Sequence, residues 1–533
     1  MGRYQIFLIL ALGPFAIFSV FVYFVQIFIT LTPKDHWCRV PELQSLDLEL
    51  RRNLTVPIVI KGDERCWTYK ANWSHVLETM MPPDPNTTLE RCQYGWEFQF
   101  KDIPYPTVVT DRGWVCEYAG NVPTAQTIFF VGSLLGTLFF GWLADRFGRV
   151  PALVGSNLIA CIGGVATVFT NGFWDFAFCR FLVGLSLDSG FMIMYIMVLE
   201  YVGIRHRTWV ANGSLAIYFG VSSMLMPWVA IAIGDWQKFA LLTSLPMLIT
   251  LGVPFVIPES TRWLASKDKG DKAVKIFKRI AKVNGNKVPG HVMNNFLQSL
   301  RQPKTSDESI AALFNSRELL KTMIAAIVAY MSATMVFDGL VRLSEHLGLD
   351  FFLIFTLSSA TEIPALLTLA FVLDRWGRRV LACGPIVLAG ILNVAAAFLA
   401  KGVLQVVLTL VARFFVNMSL SALVQWVTEI LPTPVRATGS SILHVSGFFG
   451  GMFSPFVVYA GLYWTPFPLL LFGILAFIAC AMSLLLPETM GLPLPQTITE
   501  GERLIQEKSL FRRNPDPTTA VYNEESTNEK IVL

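Results

Sequence analysis

Four ionisable side chains fall inside long apolar stretches of this 533-residue chain: Asp188, Asp338, Glu362 and Arg413. A charge held in hydrocarbon costs ~2.5 kcal/mol or more, so such groups face a cavity, a partner, or both. Three acids against one base favour a positively charged guest, or a zwitterion whose carboxylate meets Arg413. Glu362 is the candidate for attracting an amine. Asp188 has two readings, contact with the guest or a structural pair with Arg413, and Asp338 is placed near the outer mouth of the cavity. All of this is binding chemistry. No nucleophile, base and metal-ligand set is evident near a membrane surface, no cysteines have zinc-site spacing, and neither a Walker loop nor a dinucleotide fingerprint occurs. An enzyme and an ATP-driven pump are therefore not expected, nor are a metal, a cofactor or a nucleic-acid partner.

A second group of polar residues recurs at one fixed separation. Asp145, Arg146, Gly148 and Arg149 return 229 residues later as Asp374, Arg375, Gly377 and Arg378. Glu200 and Arg207 return as Glu429 and Arg436, and Pro258-Glu259 as Pro487-Glu488, all at the same separation. The glycines suit the tight turn of a very short loop between helices. The charges suit a conformational latch in which Asp145 and Asp374, with neighbouring arginines, form networks with Glu200 and Arg207, and with Glu429 and Arg436, holding an outward-open state.

The elements that must position these groups are membrane spans. The chain is 53% hydrophobic and 15% charged, with a mean hydropathy of +0.53, whereas soluble domains carry about 25% charge. Apolar stretches of about 20 residues, enough to cross a core about 30 Å thick, recur along nearly its whole length. Twelve are read, near 5–31, 122–144, 150–170, 173–201, 208–232, 238–258, 318–341, 348–374, 379–400, 402–430, 436–461 and 465–487. The first is too long for a signal peptide and lacks a cleavage site, and Gly2 lacks the context for a lipid anchor. Six spans per copy is an even number, so the tandem copies share one orientation, as parallel repeats that rock around a central site.

Charge placement orients the bundle. Arg262, Lys267, Lys269, Lys272, Lys275, Lys278, Arg279, Lys282 and Lys287 mark the loop between spans six and seven as cytoplasmic, and both termini follow. Residues 32–121 then lie outside. They hold the sequons at Asn53, Asn72 and Asn86, and Cys38, Cys66, Cys92 and Cys116, which suggest two disulfides with three pairings open. Cys161, Cys179, Cys383 and Cys480 sit in spans as small packing residues.

With these features in place, the chain resembles the organic cation, anion and zwitterion transporters of the major facilitator superfamily over nearly its whole length. The resemblance rests on the two Asp-Arg-x-Gly-Arg loops and the large first external loop. It also rests on Pro258 to Leu264 (Pro-Glu-Ser-Thr-Arg-Trp-Leu), on Glu429 to Arg436, and on the run from Pro487 to Thr497. It implies an all-α membrane protein of twelve helices in two parallel six-helix repeats, acting by alternating access at the plasma membrane. It also implies pocket aromatics at Phe191, Tyr218 and Phe337, an acidic pocket residue at Glu362 and a basic one at Arg413. The chain departs from the family at Phe448, a position that looks like Asp in cation carriers and Arg in anion and carnitine carriers, and at Asp188, which stands where the cation carriers look to have Lys.

The expected domains are 1–31, the first helix; 32–121, the glycosylated external loop; 122–258, helices two to six; 259–317, a cytoplasmic loop with short amphipathic helices; 318–487, helices seven to twelve; and 488–533, a tail expected to be disordered from about Gly501. The expected cargo is a small organic cation or zwitterion, such as a quaternary ammonium compound, a carnitine-like solute or an amine conjugate. The alternatives are an organic anion carrier and a non-transporting receptor on the same fold. The expected partners are that cargo and the lipid bilayer, and nothing in the sequence sets an oligomeric state.

Overall fold

The computed structural model describes residues 2–57, 64–202, 204–267, 269–285, 293, 316–492, 494–495 and 497–508. Among these residues eleven helices are long and apolar enough to cross a membrane, and a shorter apolar helix, Phe467–Ser483, completes twelve. In chain order, spans one to six are Arg3–Ile29, Asn121–Phe147, Arg149–Val168, Phe173–Tyr201, Ile204–Ile233 and Trp236–Val256. Spans seven to twelve begin with Arg317–Leu343, then Phe351–Ala360 continued by Glu362–Trp376, Arg378–Ala397, Val403–Ile430, Thr433–Gly451 continued by Ser454–Ala460, and Phe467–Ser483.

Local sequence explains the irregularities. Pro364 lacks an amide hydrogen and its ring crowds the carbonyl four residues back, which interrupts span eight at Ala360 and Thr361. A single residue, Gly148, links spans two and three at φ 119°, and Gly377 links eight and nine at φ 84°, in a region that side chains disfavour. Spans two and four meet backbone to backbone. A Cβ on Gly136 would fall on the carbonyl of Leu185, and one on Gly184 on that of Phe129, which is the small-residue contact that lets membrane helices approach closely.

The apolar clusters divide the bundle unequally along its length. At the end carrying residues 32–121, hereafter the domain end, one cluster joins both halves. Phe24 and Phe28 of span one pack on Phe355 of span eight, with ring centroids 5.2 and 4.9 Å apart. At the opposite end two separate clusters form. One, with Leu8, Val198 and Ile257, belongs to the first half; the other, with Leu319, Leu369 and Trp426, belongs to the second. The bundle is thus sealed at the domain end, which is not the outward-open arrangement expected of the latch.

Residues 32–121 form a small domain. β1 (His36–Cys38) pairs with β4 (Trp96–Phe98), and β2 (Trp67–Tyr69) with β3 (Leu89–Arg91), both antiparallel. The disulfides are Cys38–Cys92 and Cys66–Cys116, which selects one of the three open pairings. Val40, Leu43, Leu54 and Val76 form its core, and Arg51 pairs with Glu97 at 2.6 Å. It is seated on the bundle by Thr107 Oγ1 donating to the Leu31 carbonyl at 2.8 Å and by Trp236 Nε1 donating to Asp111 at 2.6 Å. Asn53, Asn72 and Asn86 are all exposed.

At the opposite end, helix Gly270–Val283 lies under the first half, and Asn284 accepts from the Tyr4 amide at 2.9 Å. The tail differs from expectation. Residues 498–508 form a helix, Ile498–Lys508, whose Ile505 is buried in the second half's cluster while Ser316 Oγ donates to Glu502 at 2.5 Å. Its alternating apolar and charged residues cover the second half as Gly270–Val283 covers the first. Residues 509–533 of the expected tail, and the loop residues 286–292 and 294–315, lie outside the described residues.

Candidate functional site

The duplicated motifs build two corners at the end opposite the domain end. Glu259 accepts from the amides of Arg149 (2.8 Å) and Val150 (3.2 Å), the first residues of span three. Glu488 does the same for Arg378 (3.1 Å) and Arg379 (2.9 Å) at the start of span nine. A carboxylate there satisfies amides that have no partner within the helix and meets the positive end of its dipole. Ser260 donates to Glu200, and Thr489 donates to Glu429 at 2.6 Å. Residues 260 and 489 keep the 229-residue separation, so both corners share one wiring.

Of the networks expected of the latch, the one at Glu429 is made by Arg378, which grips it through Nε at 3.0 Å and Nη2 at 2.9 Å. Arg436 instead donates to the carbonyls of Leu431 (3.0 Å) and Pro495 (3.3 Å), because it starts span eleven beside the tail. Asp145 pairs with Arg149 at 3.0 Å, while Arg146 lies over the Trp142 ring at 5.4 Å and Arg375 is exposed. The side chains of Arg207 and Asp374 lie outside the described residues.

Between the halves, in mid-bundle, lies a cavity of about 240 Å³. The first half contributes Ser19 and Tyr23 from span one, Asp188 and Met192 from span four, and Tyr218 and Phe219 from span five. The second contributes Tyr330, Phe337 and Asp338 from span seven, Leu420 from span ten, and His444 and Phe448 from span eleven. Among the described residues its wall is aromatic and apolar, with two carboxylates, one imidazole and no Lys or Arg. Such aromatic faces attract a desolvated cation by about 0.5–2 kcal/mol each.

The two carboxylates are not alike. Asp338 is buried and accepts from the Tyr23 hydroxyl across the interface between the halves. Asp188 is half-buried and accepts from Thr137 Oγ1 at 3.5 Å, the outer limit of such a bond. Tyr218 is held by donating to the Ile9 carbonyl at 3.1 Å, and His444 Nδ1 lies 3.5 Å from the Tyr330 hydroxyl.

Glu362 and Arg413 do not line the cavity. Arg413 Nη2 meets Glu362 Oε1 at 2.8 Å, both side chains are buried, and this overturns the expectation that Glu362 is free to attract an amine. It also overturns a pair between Asp188 and Arg413. Arg413 donates to the Phe337 carbonyl at 2.9 Å and lies over that ring at 4.3 Å, so the pair braces the cavity wall from behind. The structure thus brings Asp188, Tyr218, Phe337, Asp338 and Phe448 to one cavity. Phe191 lies on span four, but its side chain is outside those described. Sequence reading missed Tyr23, Tyr330 and His444. His444 satisfies the same rule that singled out the acids, being ionisable inside a span.

Comparison with known proteins bears on this arrangement. The family model described as "Sugar (and other) transporter" matches residues 121–499. The chain is 31% identical to the carcinine transporter of Drosophila melanogaster, over 94% of this chain and 77% of that protein. It is 31% identical to solute carrier family 22 member 1 of Oryctolagus cuniculus, over 91% and 90%. It is 30% identical to the organic cation transporter protein of Drosophila melanogaster, over 97% and 94%. Among solved structures, the inward-open xylose transporter XylE from E. coli aligns with a TM-score of 0.57 at 18% identity, over 73% of this chain and 91% of that one. The human organic anion transporter MFSD10 aligns at 0.50 and 14% identity, over 70% and 87%. At such identities these structures speak to fold alone, the major facilitator arrangement of helices.

Proposed function

Because this chain belongs to the solute carrier 22 family of the major facilitator superfamily, we propose that it carries small organic cations or zwitterions across the membrane by alternating access at the cavity between its halves. The observation that carries this is the cavity wall, with Asp188 loosely held, aromatic rings around it, and the two nearby arginines, Arg342 and Arg413, turned away from the space. Among the described residues, an anion entering there meets two carboxylates and no fixed cation. Quaternary ammonium compounds, carnitine-like solutes and amine conjugates fit this wall, and two of the relatives are named for carcinine and organic cations.

Asp188, Tyr218, Phe337 and Phe448 are the contacts assigned to the cargo, and Glu362 with Arg413 positions Phe337. The two corners keep each six-helix half rigid while it tilts. The lysine-rich loop after span six supports a cytoplasmic location for the end opposite the external domain, with both termini there, and the exposed sequons support glycosylation on the outside of the plasma membrane.

Uptake of labelled tetraethylammonium and of labelled para-aminohippurate in expressing cells tests the reading. Saturable uptake of the first, competed by other organic cations, is expected. Uptake of para-aminohippurate alone would reverse the assigned charge, and binding of either without accumulation or exchange would favour a receptor.

A further inference from the structure

Among the described residues, the charges around the cavity leave one carboxylate without a fixed countercharge. Glu362 and Arg413 cancel at 2.8 Å. Asp338 feels the positive charge of Arg342, one turn further along span seven and lying over the Phe130 ring at 5.2 Å, and it also holds the Tyr23 hydroxyl. Arg180, on the same span as Asp188 but two turns toward the domain end, is buried and turned to Thr167 and to the Phe176 ring at 5.6 Å. That leaves Asp188 of the first half and, across the cavity from the second half, His444 with Tyr330 beside it. From span two only the Thr137 hydroxyl reaches Asp188, and the Asn157 side chain of span three packs near the adjacent Gly190.

We propose that Asp188 and His444 form a proton site in the cavity, so that one proton leaves when one organic cation enters and transport is an exchange of the two. This inference rests on the proposed cation transport and names its coupling ion. With one proton held on either the carboxylate or the imidazole the cavity is neutral. With that proton gone and an organic cation present it is again neutral. The cavity holding both carries a net positive charge, and holding neither a net negative one, and each uncompensated charge at mid-membrane depth costs ~2.5 kcal/mol or more. The two neutral forms are therefore the ones able to close and reopen on the other side. The proton comes from the water on one face and returns to the water on the other, while the cation moves the opposite way. Placing the acid on one half and the imidazole on the other lets the occupant be sensed by both moving bodies.

The test uses the full-length protein in liposomes, with tetraethylammonium, whose charge does not change with pH. The membrane potential is clamped at zero with valinomycin and equal potassium. A lumen one pH unit more acidic than the bath is expected to concentrate tetraethylammonium about tenfold at steady state, since one pH unit is a tenfold ratio of protons. In His444→Gln that ratio is expected to fall to about one. A steady-state ratio is independent of rate, so a merely slow variant still reaches tenfold. A second measurement needs no variant: adding tetraethylammonium to the wild-type protein in weakly buffered detergent should release about one proton per cation bound. Wild-type liposomes that fill only to equal concentration, with no proton release, would overturn the exchange and leave the cation carrier standing. No tetraethylammonium entry at all would overturn both. A tenfold ratio retained by His444→Gln would remove the histidine from the site.

Discussion

At the end opposite the disulfide-bonded domain the two halves are near copies, and in mid-bundle they are not. Gly148 and Gly377 make the same one-residue link, Glu259 and Glu488 cap the same helix start, and Ser260 and Thr489 bond the same glutamate, Glu200 and Glu429. At the same 229-residue separation, however, Arg413 corresponds to Gly184, Glu362 to Ser133, and Asp188 to Asn417. The second half holds a buried ion pair that cancels itself. The first half has a glycine pressed on Phe129 where that arginine would stand, and a carboxylate facing the cavity. The corners answer a need that each half has by itself, namely to terminate one helix and start the next within a residue. The middle answers a need of the pair, where one half braces a wall and the other presents a charge.

The largest expected effect comes from erasing the difference on the crowded side. Gly184→Ala places a Cβ on the Phe129 carbonyl and is expected to abolish folded protein, read as loss of the monodisperse peak in detergent chromatography. Arg413→Met comes next. It strands Glu362 in the core at a cost of about 3–5 kcal/mol, and Glu362→Met with Arg413→Met should recover most of that stability in a thermal unfolding assay. If the double variant is no more stable than the single one, the pair is more than a brace.

The corners supply smaller effects that test their likeness. Glu259→Gln and Glu488→Gln each weaken a helix cap and should cost a similar ~1 kcal/mol, read as matched shifts in melting temperature. Unequal shifts would break the equivalence of the halves. Arg378→Ala and Arg149→Ala should differ, with the second the smallest effect of all. Arg378 pairs with a Glu429 side chain only 24% exposed, whereas the Asp145 partner of Arg149 is 72% exposed, and such surface pairs contribute ~0–1 kcal/mol.

The repeat was legible in the sequence because its residues sit in short loops, where glycine and charge stand out against apolar spans. The wiring was not, since Glu259 finds the Arg149 amide 110 residues away and only the fold brings them together. Buried charge singled out Glu362 and Arg413, but each one's partner lies 51 residues along the chain. The pairing that withdrew Glu362 from the cavity had no linear signal. Tyr23 had none either, as one aromatic among many in span one. The tail helix did have one. Residues 498–508 stand 229 residues after the amphipathic helix under the first half, and the polar residues that follow them obscured the pattern.

The claim on which the account depends is that Asp188 meets the cargo's positive charge in the space between the halves. Uptake of labelled tetraethylammonium by Asp188→Asn, divided by the amount of protein labelled at the cell surface, tests it most directly. The account predicts a fall of roughly tenfold or more, the equivalent of about 1.4 kcal/mol of lost attraction. Uptake per surface molecule equal to the wild type would contradict it.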